Sequence, residues 1–310
     1  MSPLRKNNLI VPVNIGIVGY GIVGQALAYG FSRPETKSAY TLSFYDKYKK
    51  SSPLESVVRK SEFIFICLPT PMKSDESGID LSIIEKTIKK ITTLSDNTDK
   101  IIIIKSTVVP GTTAFFEKKY PKTKFCFNPE FLTEANYLED FIHANRTIIG
   151  ANNDLVSRRV ISLFKQRFPY MKIFQTDPST AEMVKYMANT YLATKVIFAN
   201  QMFDLCQKLH ITYEEVKSMV VADHRIFDSH LDITTERGFG GKCLPKDMIA
   251  LLGFAREHGV NLDLLSTAWK INKKIRKAKD WEEIPFVTSG RLSFRKIGKG
   301  SKIKVRKRKV

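Results

Sequence analysis

Cys243 stands in a glycine-flanked loop, Gly238-Phe239-Gly240-Gly241-Lys242-Cys243, directly ahead of a helix signal at Pro245. A thiol in such a loop is not core packing. The amides of the helix start and the ammonium of Lys246 both favour thiolate, so a nucleophilic cysteine is expected here. Lys185 and Asn189, four residues apart in a long helical pattern, project from one helix face. An ammonium there can stabilise an alkoxide, and the amide can donate to the same oxygen. Glu130 leaves a strand end and Asp247 opens the helix after the thiol, where carboxylates can move protons or simply cap backbone amides.

A second constellation lies near the start. Gly19-Tyr20-Gly21-Ile22-Val23-Gly24 follows a strand pattern and opens a helix, a turn that lets a pyrophosphate rest on helix-terminal amides. Asp46 ends the next strand, 22 residues after Gly24. A carboxylate there accepts both hydroxyls of an adenosine ribose and repels a 2′-phosphate, which favours NAD over NADP, although Lys47, Lys49 and Lys50 weaken that preference.

These residues need a scaffold, and the order of elements predicts one. Val13–Val18, Thr41–Tyr45, Phe63–Leu68, Ile101–Lys105, Lys124–Phe127, Thr147–Gly150 and Lys172–Gln175 read as strands separated mostly by helical patterns. That alternation predicts an α/β domain with a doubly wound parallel sheet over 1–177. From Asp177 onward the pattern is helical: Pro178–Leu209 capped by Asp177, then Tyr213–Val221, Pro245–His258 and Leu262–Lys279. An all-helical second domain over 178–284 is expected, with 285–310 as a basic, flexible tail.

Composition narrows the class. The chain has 310 residues, of which 43% are hydrophobic, enough for two cores. Its longest apolar stretches are strand-sized, and the N-terminus runs directly into a strand and glycine turn, so neither a membrane span nor a secretion signal is expected. Four widely spaced cysteines fit neither a disulfide framework nor a zinc site, no histidine has metal-ligand spacing, and a reducing, cytoplasmic setting is expected with no metal. The net charge of +19 is uneven: residues 272–310 hold fifteen Lys and Arg against three acids, leaving +7 on 1–271. No groove-reading or aromatic motif accompanies the run, so a solvated end is expected rather than a nucleic-acid site.

Four further blocks, KSTVVPGTT (105–113), NPEFLTEA (128–135), AEMVKYMANTYLA (181–193) and GFGGKCLPKD (238–247), occur in order with the Thr70-Pro71 turn. In this the chain resembles the UDP-glucose/GDP-mannose dehydrogenase family over about residues 13–250. The resemblance implies a nucleotide-sugar 6-dehydrogenase that oxidises a primary alcohol to a carboxylate with two NAD, through a thiohemiacetal and a thioester on Cys243. It implies that Glu130 assists hydrolysis and that Asp247 and Thr107 hold or activate the water. To the cofactor set it adds Ile22, Val23, Lys47, Pro69, Thr70, Thr107 and Glu134. For the substrate it implies Phe131, Leu132, Thr133, Glu134, Lys185, Asn189, Phe239, Gly240 and Lys246, with Arg225 reaching across from a neighbouring subunit of a homodimer built on the long helix.

The match is not complete. A third, nucleotide-binding domain is expected from the family after the helix at 262–279, and the 25 residues beyond Pro285 are too few for one. Lys and Arg of the tail could neutralise the diphosphate instead. Ala135, Ala144-Asn145-Arg146 and Phe227 also depart from the family pattern. UDP-glucose is the expected substrate and GDP-mannose its nearest rival. Two other readings remain open: a 3-hydroxyacid or 6-phosphogluconate dehydrogenase, which leaves Cys243 unexplained, and a non-catalytic NAD-binding scaffold with a polyanion-binding tail.

Overall fold

A computed structural model describes residues 12–32, 39–95 and 99–289. Seven strands form one sheet: β1 (Val13–Val18), β2 (Tyr40–Tyr45), β3 (Phe63–Ile66), β4 (Ile101–Ile104), β5 (Lys124–Phe127), β6 (Arg146–Gly150) and β7 (Lys172–Thr176), in the spatial order β2-β1-β3-β4-β5-β6-β7. Neighbours are parallel except β5 and β6, which meet antiparallel where Phe127 faces Gly150. The strand at the topological switch, β1, ends in the Gly19–Gly24 turn, where ligands of doubly wound sheets bind.

Uniformly apolar strands follow from burial on both faces. In β4 Ile101 and Ile103 join one core, with Leu27, Phe31 and Phe164, while Ile102 and Ile104 join the other, with Ile84, Ile88 and Phe116. The first face is covered by α1 (Ile22–Phe31), α5 (Tyr137–Ile142) and α6 (Asp154–Arg167). The second is covered by α2 (Leu54–Lys60), α3 (Ser82–Leu94) and α4 (Thr112–Lys119).

The chain then leaves the sheet in α7 (Pro178–Lys208), whose N-cap Asp177 accepts the Thr180 amide at 3.0 Å. Three more helices, α8 (Tyr213–Val220), α9 (Leu244–Glu257) and α10 (Asp263–Ile275), complete the second domain. Met248, Ile249, Ala268, Trp269 and Trp281 form its core.

The tail starts later than expected. Val287 is 2% exposed within that core, and Met72 of the first domain exchanges backbone hydrogen bonds with Val287 and Ser289. Residues 285–289 are therefore packed structure, and 290–310 lie outside the described residues. α10 also stops four residues early, at Ile275, because Arg276 turns to an extended conformation and donates to the carbonyls of Ala278 and Arg237. Among the described residues no helix is long and apolar enough to cross a membrane.

Candidate active site

Chain ends at the carboxyl edge of the sheet deliver the first half of the site. β5 runs into Asn128-Pro129-Glu130, and buried Asn128 fixes the turn by donating to Thr147 and the Ile148 carbonyl, each at 2.8 Å. Lys105, leaving β4, donates to Asn128 Oδ1 at 2.8 Å. Burial lowers the Lys105 pKa to about 8 against the fields of Cys67 and Glu130.

The second half comes from α7. Glu182, Lys185 and Asn189 form one stripe at helical spacing, and all three are buried. Lys185 Nζ donates to Glu130 Oε1 at 2.9 Å and to the Glu130 carbonyl at 2.7 Å, an ion pair between the two domains. Burial opposes the Lys185 charge, but Glu130, Asp247 and Cys243 overcome it and raise its pKa. Burial likewise works to raise the Glu130 carboxyl, yet Lys185, the Leu132 amide and Lys105 hold it below its usual range. Asn189 donates to Asp247 Oδ2 at 2.5 Å, and Lys246 pairs with Asp247 Oδ1.

Cys243 occupies the N-cap of α9, where its thiol feels Glu130, Lys185, Asp247 and Lys246. The expected lowered thiol pKa is not found. Burial, reinforced by Glu130 and Asp247, outweighs Lys185 and Lys246 and pushes the thiol up to about 11. Lys246, which is paired with Asp247, is the smallest of these influences on the thiol.

Five expected site residues, Cys243, Lys185, Asn189, Glu130 and Asp247, are thus brought together. Thr107 lies on the loop after β4, its carbonyl accepting the hydroxyl of buried Thr70 at 2.8 Å. Thr70 therefore ties the loops after β3 and β4 together through its hydroxyl. The amides of Leu132 and Thr133, expected to face a substrate, are taken by Glu130 Oε2 and Asp140 Oδ2 at 2.7 Å each. Phe131 has Arg146 and Lys185 over its ring at 4.8 and 5.4 Å.

Phe239 points into the second core at 3% exposure, with Gly240 packed on Arg276 and Asp280. Neither offers a side chain to a substrate. Glu134 is exposed and pairs with Lys242 at 3.3 Å. Arg225 is exposed and paired with Asp223.

Glu182, not singled out from sequence, accepts the Gly111 and Thr113 amides at 2.6 and 2.9 Å and the Thr113 hydroxyl at 2.6 Å. It thereby caps α4 and seats α7 on the loop that carries Thr107. Its signal was its place three residues before Lys185, on the same face.

The glycine turn fits a dinucleotide. Gly19 has φ +97°, and a Cβ on Gly24 would stand 2.1 Å from the Gly19 carbonyl oxygen, so both are fixed by backbone approach. Gly21 differs: a Cβ there meets nothing within 4 Å, leaving space at the start of α1, which has neither a side-chain cap nor an acidic first turn. That is where an anion can rest. Asp46 Oδ2 accepts the Tyr20 amide at 2.8 Å, tying the ribose-side carboxylate to the turn, and Lys49 donates to the Tyr20 carbonyl at 2.6 Å. Ile22, Val23, Lys47 and Pro69 flank this turn or the neighbouring strand ends.

Comparison with known proteins agrees with this layout. Residues 36–168 match the NAD binding domain of the UDP-glucose/GDP-mannose dehydrogenase family, and residues 179–274 match its central domain. The chain is 33% identical over 261 residues to a UDP-glucose 6-dehydrogenase of Rickettsia felis, covering 81% of this chain and 56% of that protein. A Bacillus subtilis UDP-glucose 6-dehydrogenase is 33% identical over 235 residues, covering 73% and 49%. The chain thus spans about half the length of the curated relatives it matches. In fold it is similar to a UDP-glucose dehydrogenase from Pyrobaculum islandicum, with a TM-score of 0.76, 24% identity and coverage of 88% and 70%. A 3-hydroxyisobutyrate dehydrogenase from Mycobacterium tuberculosis shares the fold at 14% identity and a TM-score of 0.68, covering 85% and 94%, so architecture does not separate the two dehydrogenase classes. The separation comes from the domain matches and the cysteine loop they enclose: the chain belongs to the UDP-glucose/GDP-mannose dehydrogenase family.

Proposed function

We propose that the chain carries out the NAD-dependent oxidation of a nucleotide sugar at C6, with UDP-glucose as substrate and UDP-glucuronate as product. The observation that carries this reading is the convergence of Cys243, Lys185, Asn189, Glu130 and Asp247 from both domains into one buried cluster. The curated relatives named UDP-glucose 6-dehydrogenase favour glucose over mannose. Gly19, Gly21, Gly24 and Asp46 would hold NAD, which supplies the hydride acceptor for each of two oxidations.

An ammonium has three donors, and Lys185 spends two on Glu130, so one remains for the alkoxide or oxyanion at C6. Asn189 likewise keeps one amide hydrogen beyond its bond to Asp247. Once the alcohol is an aldehyde, Cys243 adds through sulfur to the carbonyl carbon, and the thiol proton, relayed by a neighbouring carboxylate, ends on the former carbonyl oxygen. A second loss of hydride and proton converts the thiohemiacetal to a thioester. Water, oriented by Glu130 and Asp247, then breaks the C–S bond, releasing the carboxylate and returning the thiol. Glu130, held ionised by Lys185, is in the state that can take the water's proton, as a weaker base than an ordinary carboxylate.

A homodimer is part of the proposal. α7 buries its polar stripe and leaves Met187, Tyr191, Phe198 and Leu205 more than half exposed, an apolar face of the kind that a second copy covers. Arg225 would serve the partner's site, and the basic run at 290–310 would neutralise the diphosphate. The test is NADH release with UDP-glucose and GDP-mannose in parallel, for wild type and Cys243→Ser. Two NADH per UDP-glucose, lost in the variant, is the expected result. No turnover with any nucleotide sugar, or turnover that survives the substitution, refutes the assignment.

A further inference from the structure

The segment leading to Cys243 is gripped from behind by side chains that take no part in the chemistry described above. Asn272 of α10, fully buried, holds Phe239 at both ends: its Oδ1 accepts the Phe239 amide at 2.7 Å and its Nδ2 donates to the Phe239 carbonyl at 2.9 Å. Asp280 Oδ2 accepts the Gly241 amide at 3.1 Å, two residues before the thiol. Arg276 braces Asp280 at 2.9 Å and also donates to the Arg237 carbonyl at 3.0 Å. From α7, Asn200 accepts the Gly238 amide.

Glycines let the loop sit against this frame. Gly238 and Gly241 take φ +50° and +78°, and a Cβ on Gly240 would stand 2.4 Å from both Arg276 Nη2 and Asp280 Oδ1. Asp280 Oδ1 is itself buried without a hydrogen-bond partner, a costly arrangement for a carboxylate. It persists because the other oxygen is engaged by Arg276 and Gly241. The frame therefore fixes the path of 238–241 independently of anything bound at the site.

We propose that Asn272 and Asp280 are positioning residues for Cys243, setting through Phe239 and Gly241 the depth at which the thiol faces Lys185 and Glu130. The proposal rests on Cys243 being the nucleophile. With the frame intact, the thiol is held among Glu130, Lys185 and Asp247. Without it, the two-glycine stretch 240–241 relaxes and the thiol gains solvent.

The experiment labels the full chain with iodoacetamide and follows modification of Cys243 by peptide mass spectrometry, using buried Cys206 of α7 as the internal reference. Asp280 is partly exposed, so Asp280→Ala folds, whereas Asn272→Ala is the harsher second variant. In both, Cys243 is expected to react about tenfold faster or more, the factor that loss of one hydrogen bond of ordinary strength allows, with Cys206 unchanged. Asp280→Asn, which keeps an acceptor for Gly241, is expected to restore most of the wild-type rate. In turnover, kcat falls while KM for NAD is unchanged. Cys243 labelling at the wild-type rate in both alanine variants, or Cys206 accelerating in parallel, overturns the proposal. If the wild type turns over no nucleotide sugar, the functional reading fails while the labelling rates still decide the positioning role.

Discussion

Replacing Lys185 by methionine keeps the length of the side chain and deletes its charge, which isolates the ion pair between the two domains. In the wild type Lys185 is 2% exposed and makes two hydrogen bonds to Glu130, itself 8% exposed. Without it the carboxylate keeps the Leu132 amide and the more distant Lys105. Breaking a buried pair from one side costs about 3–5 kcal/mol, since a desolvated charge is left behind. For a chain of this size that lowers Tm by roughly 5–8 °C. Glu130→Gln in the same background removes the stranded charge, so the double variant is expected to recover at least about half of the loss.

The sign of the pH response follows. In the wild type the Glu130 carboxyl is held below its usual range, so its contribution is present above the ordinary carboxylate pKa and is lost as pH falls beneath it. In Lys185→Met burial is opposed far less, the folded-state pKa rises, and the carboxyl takes up a proton more readily folded than unfolded. The deficit relative to wild type is then largest near neutral pH and shrinks towards pH ~4.5. Thermal melts by circular dichroism at several pH values read both effects without requiring activity. A deficit that neither changes with pH nor yields to Glu130→Gln refutes the ion-pair account.

Two further outcomes are expected. Gly21→Ala places a methyl in open space, so Tm stays within about 1–2 °C while NAD affinity falls about tenfold or more; Gly24→Ala meets the Gly19 carbonyl oxygen at 2.1 Å and lowers both. Titration by NADH fluorescence beside thermal melts separates the pair, and equal effects from the two substitutions would refute the division of roles. Because burial pushes Cys243 up to about 11, its alkylation rate should climb about tenfold per pH unit from pH 7 to 9. A plateau near pH 7 would mean a thiolate already present at rest.

The sheet was readable because β3 and β4 are apolar at every position, and α7 because Asp177-Pro178 announces a helix that then runs for 31 residues. What sequence could not give is direction in space. Phe239 reads as a loop aromatic free to meet a ligand, yet Asn272, 33 residues later, turns it inward. Val287 ends the short run Ile284-Pro285-Phe286-Val287, which is too brief to show a periodicity, and its burial depends on Met72 from the other domain. Cys243 beside a helix start reads as acidic until the burial that dominates its pKa is known.

The stripe on α7 was half visible. Lys185 and Asn189 share a face by spacing alone, but continuing that face by one turn reaches Glu182, a third polar group where a soluble helix should be apolar. All three are buried, while Met187, Tyr191 and Phe198 lie exposed on the same helix. A helix turned inside out in this way must satisfy its polar stripe against another element, and Gly111, Thr113 and Glu130 of the first domain do so for Glu182 and Lys185. Docking of the helix and assembly of the site are therefore one event. A substitution that loosens α7 from the sheet edge disturbs Thr107, through the α4 cap, as well as Lys185.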